Sequence, residues 1–306
     1  MLCVHVSRDA DPATAMDFTP VLAWFDAAER DLPWRDPDAG PWAILVSEVM
    51  LQQTPVVRVE PVWRAWMQRW PTPADLAAAT GADAVRAWGK LGYPRRAMRL
   101  HACAQALVER FDGAVPSDVD ELLSLPGVGD YTARAVACFA FGQDVPVVDI
   151  NVRRVLARAA AGESDAAAPS AKRDLAAATV ALDSVPAQRR PRLSAGLMEL
   201  GALVCTARSP RCGECPLHAE CAWLAAGAPA GTVAPRKVQK YEGTDRQARG
   251  RLLDVLRGAD GAVPRAALDL AWERDRAQRD RALDSLLVDG LIEQTADGRF
   301  ALAGEA

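Results

Sequence analysis

Between Asp17 and Arg30 the apolar positions Phe18, Val21, Leu22 and Phe25 recur at helical spacing, and this rhythm returns through most of the chain. It predicts an all-α protein. A loop rich in proline and tryptophan, DLPWRDPDAGPW, follows, with Trp34 and Trp42 placed to anchor it, and the nearly uncharged run Pro41 to Gln53 reads as a helix. Thr54 as N-cap and Pro55 at the first helical position open the next, whose Val59, Val62, Trp63, Trp66 and Trp70 form a core stripe. Thr72 or Pro73 starts a third helix and Asp83 a fourth, separated by Gly81, and the pattern runs on to Phe111 with a break at Gly92, Tyr93 and Pro94. Ser117 is expected to cap a short helix, LPGVG (Leu125 to Gly129) to form a hairpin, and Asp130 to Phe141 to form the helix beyond it. The Val145 to Val148 run is too short and too proline-broken for a strand, and it delivers Asp149 to a helix entrance. Gly162 to Arg192 is alanine-rich and reads as helix and loop.

A stretch of Ala, Gly, Pro and basic residues from about Ala225 to Lys240 reads as a linker. Beyond it the pattern gives helices at Arg246 to Arg257, Arg265 to Trp272 and Asp275 to Val288, then a hairpin, LIEQTADGRFAL, turning at Asp297 and Gly298. Three helices and a hairpin make a winged-helix-like module. The expected organisation is an N-terminal tail (1–16), a main domain (17–226), a linker (227–243) and this module (244–306).

At 306 residues, with 50% hydrophobic and 25% charged positions, the chain can bury a sizeable core, and no apolar run is long enough to span a membrane. The start lacks the basic and apolar regions of an export signal, so a cytoplasmic, reducing location is expected. A net charge of -4 argues weakly against a nucleic-acid partner, but arginines cluster at 95, 96 and 99, at 153, 154 and 158, and at 189, 190 and 192. Any one of these could be a solvated helix face.

Five features carry chemistry. Glu48 is the one carboxylate in SEVMLQQT, and its helical neighbours are mostly apolar, so desolvation should favour its protonated form. Asp149, as an N-cap, should be held ionised by amide hydrogen bonds and the helix dipole. Two carboxylates with opposite tendencies suit glycosidic bond cleavage. The hairpin glycines 127 and 129 free backbone amides for a phosphate, and Tyr93 sets an aromatic ring ahead of three arginines. Cys205, Cys212, Cys215 and Cys221, spaced C-x6-C-x2-C-x5-C, can close around zinc or an iron–sulfur cluster, leaving His218 spare and Cys3, Cys103 and Cys138 as ordinary thiols.

Together, SEVMLQQT, LGY before an arginine cluster, LPGVG, VVDINVRRV and the cysteine spacing resemble the adenine DNA glycosylases of base-excision repair, in the helix-hairpin-helix and endonuclease III superfamily. The resemblance covers about Leu32 to Cys221. It implies a two-lobed all-α fold (a six-helix lobe over about 42–142, a cluster lobe from about 17–41 with 143–226), with DNA and the active site between the lobes. It further implies a 4Fe–4S cluster on the four cysteines and, as partner, double-stranded DNA holding A:8-oxoguanine or A:G mispairs, bound by a monomer without a membrane. Glu48 resembles the acid that protonates the adenine ring, Asp149 the carboxylate that stabilises the sugar cation, with Asn151 beside it. Tyr131 stands where the lyase relatives have lysine, which implies a monofunctional hydrolase, because a phenol forms no Schiff base. Gln52, Gln53, Thr54, Leu91 and Tyr93 match base-contacting positions, Gly127 and Gly129 phosphate-contacting ones, and Arg30 and Arg35 the loop near the adenine pocket. The chain departs from the family after the cysteines, where the usual larger reader of 8-oxoguanine gives way to the short module; lesion recognition would then rest more heavily on Gln52, Gln53 and Thr54. An endonuclease III-like lyase and a non-catalytic iron–sulfur DNA-binding regulator are the alternatives.

Overall fold

The computed structural model describes residues 16–231 and 241–306. These fall into two compact units, one built from residues up to Arg30 together with Gly142–Ala234, the other from Asp31–Phe141 together with Pro235–Ala306. Cys3 and most of the expected linker lie outside the described residues.

The first unit opens with α1 (Thr19–Ala28), which buries Val21, Leu22 and Phe25 at the expected spacing. The chain then enters the second unit through a single turn that buries Trp34. Trp34 meets Trp63 edge-on at 5.7 Å, and Trp42 donates its indole N–H to Trp70 O at 3.1 Å, so the tryptophans do anchor the loop. Helices α2 (Gly40–Leu51), α3 (Val56–Arg69), α4 (Pro73–Ala78), α5 (Gly81–Trp88) and α6 (Arg95–Phe111) follow, then α7 (Val119–Leu123) and α8 (Asp130–Phe141), the two arms of the hairpin. Val59, Trp63, Trp66 and Trp70 are buried and Val62 is half-buried, so the stripe on α3 is core.

Several helix starts differ from expectation by a few residues. Thr72 and Thr80 each form a capping box with the aspartate three residues on, so Asp83 sits inside α5 instead of opening it. Asp118, not Ser117, caps α7 by accepting from the amides of Asp120 and Glu121. Pro55 is the cap of α3, and Thr54 has other partners. In each case the side chain with the better-aimed oxygen wins a contest that spacing leaves open.

The first unit resumes with α9 (Ile150–Ala159), α10 (Ala171–Leu182), α11 (Arg190–Leu203) and the short α12 (Ala222–Ala225). As expected, no strand forms at Val145 to Val148. The second unit ends with α13 (Asp245–Arg257), α14 (Arg265–Ala271), α15 (Arg276–Val288) and an antiparallel pair, β1 (Ile292–Gln294) with β2 (Phe300–Leu302), in the register Glu293 to Ala301. A bridge from Val263 to Phe300 sets a third extended segment beside β2, completing a winged-helix-like order of elements. Among the described residues no helix is long and apolar enough to cross a membrane.

Candidate functional site

Glu48 lies on α2, 7% exposed, among Leu45 and Met50, which are fully buried, and α2 packs on α8. The end of α2 is tied to that helix by Gln52, whose side-chain amide donates to Thr132 Oγ1 at 3.3 Å, one residue from Tyr131. In the hairpin, Gly127 adopts φ 80, which a side chain would strain, and a Cβ there would stand 2.7 Å from Cβ of Arg99. Gly129 has no such conflict: a Cβ added there would meet nothing within 4 Å.

The turns after α2 and before α6 carry two residues in left-handed backbone, Gln53 at φ 55 and Tyr93 at φ 48. Both side chains are exposed. Such conformations cost roughly 1–2 kcal/mol each and persist where surrounding contacts hold them. Arg96 is that contact. Its buried guanidinium donates to the carbonyls of Val49, Met50 and Gln52 at 2.9, 2.9 and 2.6 Å, to Thr54 Oγ1 at 2.9 Å and to Gly92 O at 3.1 Å. Burial pulls its pKa down to about 10, still well above neutrality, so the cation persists on its ring of oxygens. Sequence clustering groups Arg96 with phosphate-facing arginines; the structure instead buries it as a brace, leaving Arg99 exposed beside the hairpin. Thr54 (7% exposed) and Leu91 (3%) are likewise buried, so in this conformation they support the turns, and Gln53 and Tyr93 are the side chains presented outward.

In the first unit Asp149 caps α9 as expected, accepting from the amides of Asn151 and Val152 at 2.8 Å each, and Asn151 Nδ2 donates to its other oxygen at 2.7 Å. Arg154 extends the chain of contacts. It donates to Asn151 Oδ1, to Gly201 O and to Cys205 O, each at 2.7 Å. Burial of the carboxyl raises the Asp149 pKa above its ordinary value, outweighing the amide, Asn151 and Arg154 interactions that favour the anion. A cap's hydrogen bonds can be read from sequence, whereas the protein packed over them cannot.

The four cysteines line one pocket, together with Val204, Pro210, Trp223, Leu224 and Arg158. Arg158 is 3% exposed, with Nη1 3.6 Å from Cys205 Sγ and 2.7 Å from Thr206 O, and its guanidinium lies over Trp223 at 4.9 Å. Burial pushes the Cys215 thiol up to about 11 and raises Cys212 as well. A wholly thiolate donor set in an apolar pocket, with a buried cation facing one sulfur, fits an anionic iron–sulfur cluster. Among the described residues no three such ligands lie close enough to hold a single ion, and a cluster does not require it, since its thiolates bind separate irons. His218 stands outside the thiol set, its Nδ1 2.8 Å from Cys212 O. Cys103 and Cys138 are buried in the second unit, with Cys103 pushed up to about 12 by burial.

Arg30 engages its side chain within its own unit. It closes on Glu199 with contacts of 2.8 and 2.7 Å, and its own backbone amide donates to the same carboxylate at 3.0 Å. Arg35, in the turn after Leu32, is half-buried. Glu199, 1% exposed, is absent from the candidates that the sequence suggests, although it carries the same signal as Glu48: a single carboxylate in an otherwise apolar stretch of helix. In the remaining arginine clusters Arg153 pairs with Asp174, Arg190 with Asp144 and Asp183, and Arg192 with Asp26 and Glu29.

Comparison with known proteins agrees with this arrangement. Residues 46–179 match the family of HhH-GPD superfamily base excision DNA repair proteins, and residues 205–221 match the iron-sulfur binding domain of endonuclease III. The chain is 63% identical to an adenine DNA glycosylase of Mycolicibacterium smegmatis over 95% of its own length and 98% of that protein's. It is 41% identical to the human adenine DNA glycosylase, over 71% of this chain and 41% of the human one. Among solved structures, a thermostable thymine-DNA glycosylase matches with a TM-score of 0.62 at 28% identity, covering 68% of this chain and 95% of that one.

Proposed function

Because the chain belongs to the adenine DNA glycosylases, within the helix-hairpin-helix superfamily of base excision repair proteins, we propose that it removes adenine mispaired with 8-oxoguanine or guanine by hydrolysing the N-glycosidic bond. The observation that carries this reading is Glu48, a carboxyl 7% exposed on an apolar helix. A carboxyl so placed can pass a proton to the ring nitrogen of the departing adenine. Asp149, aimed by Asn151 and two amides, meets the positive charge that develops on the sugar as the bond breaks. Water then completes the hydrolysis. Tyr131 offers no amine for a covalent sugar adduct, so the strand is left abasic and intact.

Cys205, Cys212, Cys215 and Cys221 would hold a 4Fe–4S cluster, which would fix the cysteine loop to α9 and α11. The free thiols suit a reducing cytoplasm. DNA is held at the hairpin, where the open space at Gly129 leaves room for a phosphate oxygen to approach the first amides of α8, and Arg99 adds its charge. Gln53 and Tyr93 offset part of the unstacking cost, a few kcal/mol, when adenine leaves the helix.

The test uses purified protein and duplexes with 8-oxoguanine:A, G:A and G:C pairs. Adenine should leave the first two, with strand breaks only after alkali. Glu48→Gln should bind the mismatch yet release nothing. Prompt nicking with borohydride trapping would support a lyase instead, and intact function in Glu48→Gln would support a non-catalytic regulator.

A further inference from the structure

The C-terminal module follows the regions matched to the family, and the helix of a winged-helix module that usually enters DNA is the third. Here that helix is α15, and its arginines are answered by carboxylates. Arg279 pairs with Asp269 at 2.9 Å, Arg276 with Asp280 at 3.8 Å and Arg281 with Asp245 at 3.7 Å. Each arginine of α15 therefore already faces a carboxylate.

A different face of the module meets the exposed turns. Arg246, in the first turn of α13, sets its guanidinium 5.5 Å from the ring centroid of Tyr93, the same distance at which Arg96 lies. Tyr93 is 46% exposed and held at φ 48. Arg246 is itself exposed, and among the described residues it has no carboxylate within salt-bridge reach. The placement is fixed by polar clamps within the same unit. Glu305 binds Arg86, Arg257 donates to Val85 O at 3.1 Å, and Asp289 holds both Arg95 at 3.2 Å and Arg249 at 2.5 Å. Thus the start of α13 is tied to the start of α6, directly after Tyr93.

We propose that Arg246 is a DNA-contacting residue of the same surface as Tyr93, through which the module joins the mismatch-binding face. This rests on the reading that Tyr93 enters the duplex. An exposed cation–π contact is weak, about 0.5–1 kcal/mol, so the guanidinium can leave the ring for a backbone phosphate when the tyrosine moves into the base stack. An aromatic wedge flanked by a cation is the pairing that distorted duplex DNA requires: the ring replaces lost stacking and the cation holds the adjoining backbone.

The experiment measures binding of full-length protein to an 8-oxoguanine duplex with a non-hydrolysable adenosine analogue, across a salt series. Arg246→Ala should weaken binding about tenfold and flatten the slope of log K against log salt by about 0.9, the signature of one lost phosphate contact. Arg246→Lys should keep the slope, and Arg246→Glu should bind more weakly than Arg246→Ala. A slope in Arg246→Ala equal to that of the parent protein overturns the inference, whatever else is seen. The Tyr93 reading is judged separately: 2-aminopurine beside the target should brighten on binding of the parent protein and stay dim with Tyr93→Ala. Adenine release by the parent protein tests the glycosylase reading by itself.

Discussion

Arg96 donates to the hydroxyl of Thr54 at 2.9 Å, and with that contact one buried guanidinium spans both turns that present a left-handed residue. Replacing it by methionine fills the space but strands the carbonyls of Val49, Met50, Gln52 and Gly92. Arg96→Met should therefore lower stability by about 3 kcal/mol, read from the denaturant midpoint, and weaken mismatch binding as Gln53 and Tyr93 lose their support. Arg96→Lys should recover only part of this, because one ammonium cannot reach five oxygens. An unchanged midpoint in the methionine variant would mean that other donors satisfy these carbonyls.

Asp149 links catalysis to stability with a definite sign. Its ordinary value is 3.8 and burial raises it in the folded state, so the folded protein holds this proton more tightly than the unfolded chain. The group's contribution is favourable below the unfolded value and is lost as pH rises through the folded one. At neutral pH the ionised carboxylate is a cost. Asp149→Asn removes it and keeps a good helix cap, but sets an amide NH2 against that of Asn151, a penalty that does not depend on pH. The melting temperature of the variant relative to the parent should accordingly climb as pH is raised from about 4 to about 7, while activity falls by at least about a hundredfold. A flat difference across that range would show that Asp149 does not titrate upward on folding.

These two residues also mark what the sequence discloses. Asp149 is legible as a cap because a cap is local, an acceptor two and three residues ahead of free amides. Glu48 and the cysteines are legible because charge in an apolar run and close thiol spacing are local too. The partners of Arg96, Arg30 and Thr54 are illegible for the opposite reason: they are distant in sequence, and a string of letters does not show that Arg30 closes on a buried Glu199. Helix α11 gives little sign of itself because it is buried on most sides, with Ser194, Gly196 and Gly201 next to Leu193, Leu197 and Leu200, so it shows no polar stripe to set its period.

Arg154 makes the cysteine loop and the Asp149 cap one polar network, through Cys205 O and Asn151 Oδ1. Arg154→Met should slow single-turnover adenine release while leaving duplex affinity near that of the parent protein. It should also hasten bleaching of the absorbance near 400 nm on dilution, since the Cys205 and Gly201 carbonyls lose their donor. Arg158→Met, whose parent side chain faces Cys205 Sγ, should hasten bleaching as well but spare the rate more, because Arg158 has no contact with Asn151. Equal rate losses in both variants would argue for a general loosening of the loop.

Two glycine substitutions separate support of the chemistry from contact with DNA. A Cβ at Gly201 would stand 2.6 Å from Cβ of Asn151 and 2.8 Å from its carbonyl oxygen, so α9 and α11 must part for alanine to fit. Overpacking of this kind costs about 1–3 kcal/mol, and a displacement near 1 Å at the Asp149 cap can reduce the rate about a hundredfold without touching duplex affinity. At Gly129 the same methyl meets nothing within 4 Å, so Gly129→Ala should melt like the parent protein. If phosphate approaches the amides there, the methyl intrudes only when DNA is bound, and the loss appears in affinity and in the salt slope. The pair should thus give opposite profiles, one failing in rate and stability, the other in binding. A Gly129→Ala protein that binds duplex as tightly as the parent would remove the hairpin from the DNA contact.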